Sequence, residues 1–116
     1  MKILLINPIW TIDKKSIWSV VNPCYPSLGL LYIASVLLDK GHSVTIIDAR
    51  AEQLTSLKLK KRLQDLEESP DFIGLTATTK IINSALDSAK VCKEIFPNSK
   101  IVLGGVHPTL RPEEVL

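Results

Sequence analysis

Apolar residues along this chain fall into short runs of β type, separated by longer segments with helical spacing. Lys2 to Ile6 is apolar after its first residue and ends at Asn7-Pro8, where the proline cannot donate to a ladder, so it predicts a first strand. Ser43 to Asp48, with Val44, Ile46 and Ile47, predicts a second, and Asp71 to Leu75 and Lys100 to Leu103 a third and a fourth. Leu28 to Lys40 follows Ser27 as a cap and precedes Gly41, which marks a helix. Its apolar residues go nearly all the way round, so an outer face with Leu30, Tyr32 and Leu37 is expected to pack on a second domain or subunit. Thr55 to Glu68 predicts a polar helix with Leu59, Leu63 and Leu66 inward. Lys80 to Phe96 carries the stripe Ile82, Ala85, Leu86, Ala89 and Cys92, and Pro112-Glu113-Glu114 has the form of the first turn of a fourth helix.

Strands alternating with helices predict an α/β fold: a doubly wound parallel sheet with right-handed crossovers, flavodoxin-like (Rossmann-like). The 116 residues suit one domain, 1–116, and are few for five strands. A fifth strand is expected after the fourth helix, so the chain reads as a fragment of a longer protein, truncated before that strand. The open edge and the apolar first helix then favour self-association. Asn7 to Pro26 forms a long connection holding Pro8, Pro23, Pro26, Trp10, Trp18 and Tyr25, and loops of this length are usually functional or poorly ordered.

With 46% hydrophobic residues and a net charge of +2, composition suggests neither disorder nor a nucleic-acid surface. The basic run Lys58 to Arg62 is simplest as a solvated helix face. No segment is long enough to cross a bilayer, and the start lacks signal-peptide order, so a cytoplasmic location is expected. Cys24 and Cys92 have no metal or redox spacing and read as reduced packing residues.

Chemistry gathers where the strands end. Gly104-Gly105-Val106-His107-Pro108-Thr109 follows the fourth strand and Thr76-Ala-Thr-Thr79 the third, on the edge where open α/β sheets take ligands. Glycines there let a large flat ligand approach the backbone, and hydroxyls at Thr76 and Thr78 can bond amides or phosphate, or else cap the next helix. His107 either orders the turn or touches the ligand, whereas His42, in a tight turn, is structural. The first strand is not followed by a Gly-rich phosphate turn, which disfavours a flavin or nucleotide binder. Asp48 is then better a loop-ordering group than a ribose ligand. No nucleophile elbow or Ser, His and Asp set is present, and no catalytic or metal-ligating residue is assigned.

Five pieces together carry a family resemblance: Asn7-Pro8; Pro26-Ser-Leu-Gly-Leu-Leu-Tyr-Ile-Ala-Ser35; Gly41-His-Ser-Val-Thr-Ile-Ile-Asp48; Pro70-Asp-Phe-Ile-Gly-Leu-Thr76; and Gly104-Gly-Val-His-Pro-Thr109 with Pro112-Glu-Glu114. Over nearly its whole length the chain resembles the N-terminal cobalamin-binding domain of radical S-adenosylmethionine enzymes. The resemblance implies cobalamin as cofactor, with the corrin on the sheet edge and the nucleotide tail in a groove. Its contacts are expected among Asn7, Pro8, Thr76, Thr78, Gly104, Gly105 and His107. The Asp-x-His-x-x-Gly turn of histidine-ligating cobalamin proteins is absent, so no histidine from that turn is expected under the cobalt. The loop from Trp10 to Tyr25 either covers that lower face or plugs the core. S-adenosylmethionine and an iron-sulfur cluster belong to a C-terminal radical domain, since the cluster needs a three-cysteine run that this chain lacks. The implied protein is a methyltransferase or an oxidative cyclase of the magnesium-protoporphyrin ester type, and this part alone catalyses nothing. A non-catalytic flavodoxin-like sensory or interaction module is the alternative.

Overall fold

The computed structural model describes residues 1–10, 15, 17 and 24–116; Trp18 and Pro23 of the first connection lie outside the described residues. The strands are β1 (Lys2–Asn7), β2 (Ser43–Asp48), β3 (Phe72–Thr76) and β4 (Lys100–Gly104). Interleaved with them are α1 (Leu28–Asp39), α2 (Ser56–Gln64), α3 (Ile82–Ile95) and the one-turn α4 (Val106–Leu110). All strand pairs are parallel, in the order β2-β1-β3-β4. This is the doubly wound α/β arrangement of flavodoxin-like type.

A parallel sheet must be covered on both faces, and side chains alternate between the faces along each strand. Leu4, Ile6, Ile47, Ile73 and Leu75 point to one side and form the main core with Leu59 and Leu63 of α2 and Cys92 of α3. Burying each such side chain contributes about 1.5–3 kcal/mol. Ile3 and Leu5 point to the other side, where Leu30 and Ala34 of α1 meet them. Helix α1 packs mainly on β1 and β2, with Phe72 of β3 reaching the edge of the same cluster. The β3–β4 half of that face is therefore open, and Val102 is 53% exposed there.

Helix α1 closes as the sequence expects. Gly41 takes φ +84°, its N–H donates to Leu38 O at 2.9 Å, and the His42 N–H donates to Leu37 O at 3.0 Å, a left-handed C-terminal cap. Ser27 stands at the N-cap, but its side chain makes no capping bond. Leu28, Leu31, Tyr32, Ile33, Val36 and Leu38 are exposed, Tyr32 at 79%. Leu30 is buried and Leu37 packs with it, so these two face the sheet and only Tyr32 of the three expected outward residues lies outside.

Other boundaries shift for physical reasons. Helix α2 stops at Gln64 instead of Glu68, with Asp65 as C-cap; acids at 65, 67 and 68 sit badly at the negative end of a helix. The turn Thr79–Ile81 is 3₁₀, and α3 begins only at Ile82. The fourth helix starts six residues before Pro112, at Val106, directly after the glycines. The proline bars Arg111 from helical geometry, leaving it at φ −135° and ψ 61°, so Pro112–Glu114 becomes a separate 3₁₀ turn. Cys92 is buried and packs as expected, but Cys24 is exposed, because it lies in the approach to α1 and not against a core. The basic face of α2 is solvated, with Lys60 3.3 Å from Glu94 and Arg62 3.5 Å from Glu52. Among the described residues no helix is long and apolar enough to cross a membrane.

Candidate functional site

Strand β1 connects through α1 to β2 on one side, while the chain from β3 runs on to β4 on the other. The switch point thus falls between the carboxyl ends of β1 and β3, at Asn7-Pro8 and Thr76. Two depressions share Thr76 in their linings. One, of about 330 Å³, lies along the strand ends among Asn7, Pro8, Trp10, Arg50, Thr78 and Lys80. The other, of about 440 Å³, runs down the open face beside α1, between Leu30 and Ile33 on one wall and Phe72, Gly74, Val102 and Gly104 on the other.

The first depression is held together by Asp48. Its Oδ1 accepts from Asn7 Nδ2 and from the backbone N–H of Arg50 and Ala51, each at 3.1 Å, which ties the ends of β1 and β2 and fixes the loop carrying Arg50. Asp48 is thus the loop-ordering group the sequence suggests. Pro8 is fully buried, and Ser84 Oγ donates to Ile9 O at 2.6 Å, so the segment leading to Trp10 is anchored to α3. Lys80 Nζ stands 4.1 Å from the Trp10 ring centre and Arg50 Cζ 5.0 Å from it. Cations at these distances hold an indole in place. Lys80 and Arg50 have no signal in the sequence as site residues, since they join Trp10 only across the sheet edge.

Thr76 and Thr78 both line the edge. Thr78 is the N-cap of the 3₁₀ turn but makes no side-chain capping bond, and neither hydroxyl has a partner among the described residues. Capping does not account for them. A polar group facing a groove without a partner is available to a ligand.

The two glycines separate in role. A Cβ on Gly104 would meet nothing within 4 Å and would project into the open groove, a cradle that any larger residue would fill. Gly105 has φ +99°, and a Cβ there would stand 2.7 Å from Ala77 O, 2.9 Å from Ala77 N and 3.0 Å from Thr76 Oγ1. Gly105 is demanded by the backbone. Gly74, absent from the sequence-based candidates, shares the groove face with Thr76, two residues on along β3, and pairs with Val102 across the sheet. Side-chain alternation along β3 is the signal that would have found it.

His107 does not line either depression. It is 6% exposed, with Nδ1 3.2 Å from Thr79 Oγ1 and Nε2 3.0 Å from Glu114 Oε2. His42 sits at the opposite edge of the sheet, where Nδ1 is 3.4 Å from the amino group of Met1. No cluster of three or more His, Cys, Asp or Glu able to hold a metal occurs among the described residues.

The family described as "B12 binding domain" matches residues 14–116. The chain is 41% identical, over 97% of its length, to an uncharacterized methyltransferase of Pyrococcus horikoshii. It is 30% and 33% identical over its whole length to anaerobic magnesium-protoporphyrin IX monomethyl ester cyclases of Cereibacter sphaeroides and Synechocystis. It spans only 23%, 18% and 23% of these three relatives, respectively. No solved structure matches significantly.

Proposed function

Because the chain belongs to the B12-binding domain family, we propose that it binds cobalamin across the two depressions that share Thr76, as the cofactor module of a larger enzyme. The observation that carries this is that two depressions, one at the strand ends and one on the open face, share Thr76 in their linings. A flat edge with an anchored indole adjoins an apolar cleft floored by glycine, a shape suited to a broad ring bearing a tail. Trp10, Asn7 and the Thr78 hydroxyl would hold the ring and its amide arms at the strand ends. Thr76 stands at the junction to bond the polar linker, and Leu30, Ile33, Phe72 and Val102 offer apolar walls to an aromatic base over the open Gly104. Bound cobalamin supplies cobalt-centred group-transfer or redox chemistry. This chain's share is to bind it, orient it and keep water from its tail.

The whole protein is, in this reading, a radical S-adenosylmethionine enzyme of methyltransferase or oxidative-cyclase type, its iron-sulfur cluster and S-adenosylmethionine held by a separate C-terminal domain. The names of the relatives and the small share of their length that this chain spans support it. Titration of the chain with hydroxocobalamin and with cobinamide, which lacks the tail, tests the binding. Cobalamin is expected to bind more tightly. Equal affinity would remove the tail from the groove, and no binding of either would refute the module.

A further inference from the structure

Two loops form the rims of the site. One, Ala77 to Thr79, carries Thr78; the other, Gly104 to His107, carries the open glycine. Backbone bonds join them at one end, where the Ala77 N–H donates to Gly104 O at 2.8 Å and the His107 N–H donates to Ala77 O at 3.2 Å. Beyond that point the only side chain that spans the rims among the described residues is His107, through Nδ1 to Thr79 Oγ1 at 3.2 Å. Its far edge faces Glu114. Nε2 lies 3.0 Å from Glu114 Oε2, off the line of a hydrogen bond, and Glu114 is itself gripped by Arg111 Nη1 at 2.8 Å. Arg111 returns through its N–H to His107 O at 2.8 Å. The imidazole is therefore wedged between the turn that begins α3 and the turn that follows α4.

Resting on the corrinoid reading above, we propose that His107 is a positioning residue. It contacts no cofactor; it clamps the Thr78–Thr79 rim to the Gly104–Gly105 rim and so sets the spacing of the Thr76 and Thr78 hydroxyls over the groove. Thr79 is the other half of the clamp. It follows Thr78 directly, so loss of its bond to the imidazole frees the turn that carries the ligand-facing hydroxyl.

Volume and hydrogen bonding make opposite predictions here, which gives the test. His107→Phe keeps the buried volume and loses the bond to Thr79; His107→Asn leaves a void but places an amide near the position of Nδ1. If His107 only fills space, the Asn variant is the worse; if it positions the rim, the Phe variant is. Hydroxocobalamin titration of the full chain is expected to show Kd raised about fivefold in His107→Phe and in Thr79→Val, the worth of one hydrogen bond. The double variant should be no weaker than either single one, and His107→Asn should stay near wild type. Amide exchange at Ala77 and His107, measured without corrinoid, should rise in the Phe and Val variants and not in the Asn variant. Unchanged exchange and affinity in the Phe and Val variants, additive losses, or an Asn variant weaker than the Phe variant would each overturn the clamp. Failure of wild type to bind corrinoid while the exchange pattern holds would overturn the cofactor reading and leave the clamp standing.

Discussion

Gly104 and Gly105 are neighbours with opposite duties, and substituting each separates folding from binding. At Gly105 a side chain must adopt φ +99°, a left-handed conformation that costs an L-residue about 1–2 kcal/mol. Its Cβ would also stand 2.7 Å from Ala77 O, a backbone atom that cannot swing aside, and such overpacking costs about 1–3 kcal/mol more. Gly105→Ala should therefore lose about 2–5 kcal/mol, or roughly 8–20 °C in Tm at about 4 °C per kcal/mol. At Gly104 neither cost applies, because the added Cβ meets nothing within 4 Å and Val suits a strand end. Gly104→Val should change stability by less than about 0.5 kcal/mol. Its branched side chain instead occupies the groove. Displacing a ligand that packs there costs about 1–3 kcal/mol, a rise of about 5- to 150-fold in Kd for cobalamin. Thermal melts and spectroscopic titration of both variants are the assay. A Gly104→Val protein that melts as early as Gly105→Ala, or that binds cobalamin like wild type, would refute the division of roles.

Four further outcomes follow from the packing. Asp48→Ala removes the shared acceptor of Asn7 Nδ2 and two backbone N–H groups, and should destabilise the chain by about 1–3 kcal/mol in chemical denaturation. Burial pushes the Cys92 thiol up to about 12, so a thiol reagent at pH 8 should label exposed Cys24 quickly and Cys92 only after unfolding. The same burial favours the neutral thiol in the folded state, so its contribution to stability is complete below about pH 9 and declines as pH rises toward 12. The exposed row Leu28, Tyr32 and Val36 on α1 should drive self-association at micromolar concentration; sedimentation should show Tyr32→Glu shifting the chain toward monomer, and a monomeric wild type would contradict this.

Much of this arrangement is legible in the residues themselves. The four strands are short apolar runs flanked by turn residues such as Pro8, Gly41, Pro70 and Gly105, the pattern expected of a parallel sheet. The helix boundaries are less legible where local chemistry competes. Acids after Gln64 end α2 early, and Pro112, while holding Arg111 out of helical geometry, opens only a single 3₁₀ turn and not a further α-helix. At the site, Thr76, Thr78 and Gly104 can be found because each stands at a strand end. The role of Gly105 cannot, since it depends on the backbone of Ala77 across the sheet edge. His107 is turned from the groove toward Thr79, which it bonds, and Glu114, which it lies beside, and the grouping of Trp10 with Arg50 and Lys80 joins three separate segments. Contacts of that kind exist only once the topology is formed.

In the proposed complex cobalamin sits with its tail in the groove and no histidine beneath the cobalt. The chain has two histidines; His42 lies at the far edge of the sheet and His107 is locked behind the rim. Electron paramagnetic resonance of the cob(II)alamin complex tests this directly. The spectrum is expected to show no superhyperfine splitting from an axial nitrogen. A nitrogen splitting that changes on ¹⁵N-histidine labelling would place an imidazole on the cobalt, and one that does not would place the tail's own base there, outside the groove; either result would overturn this mode of binding.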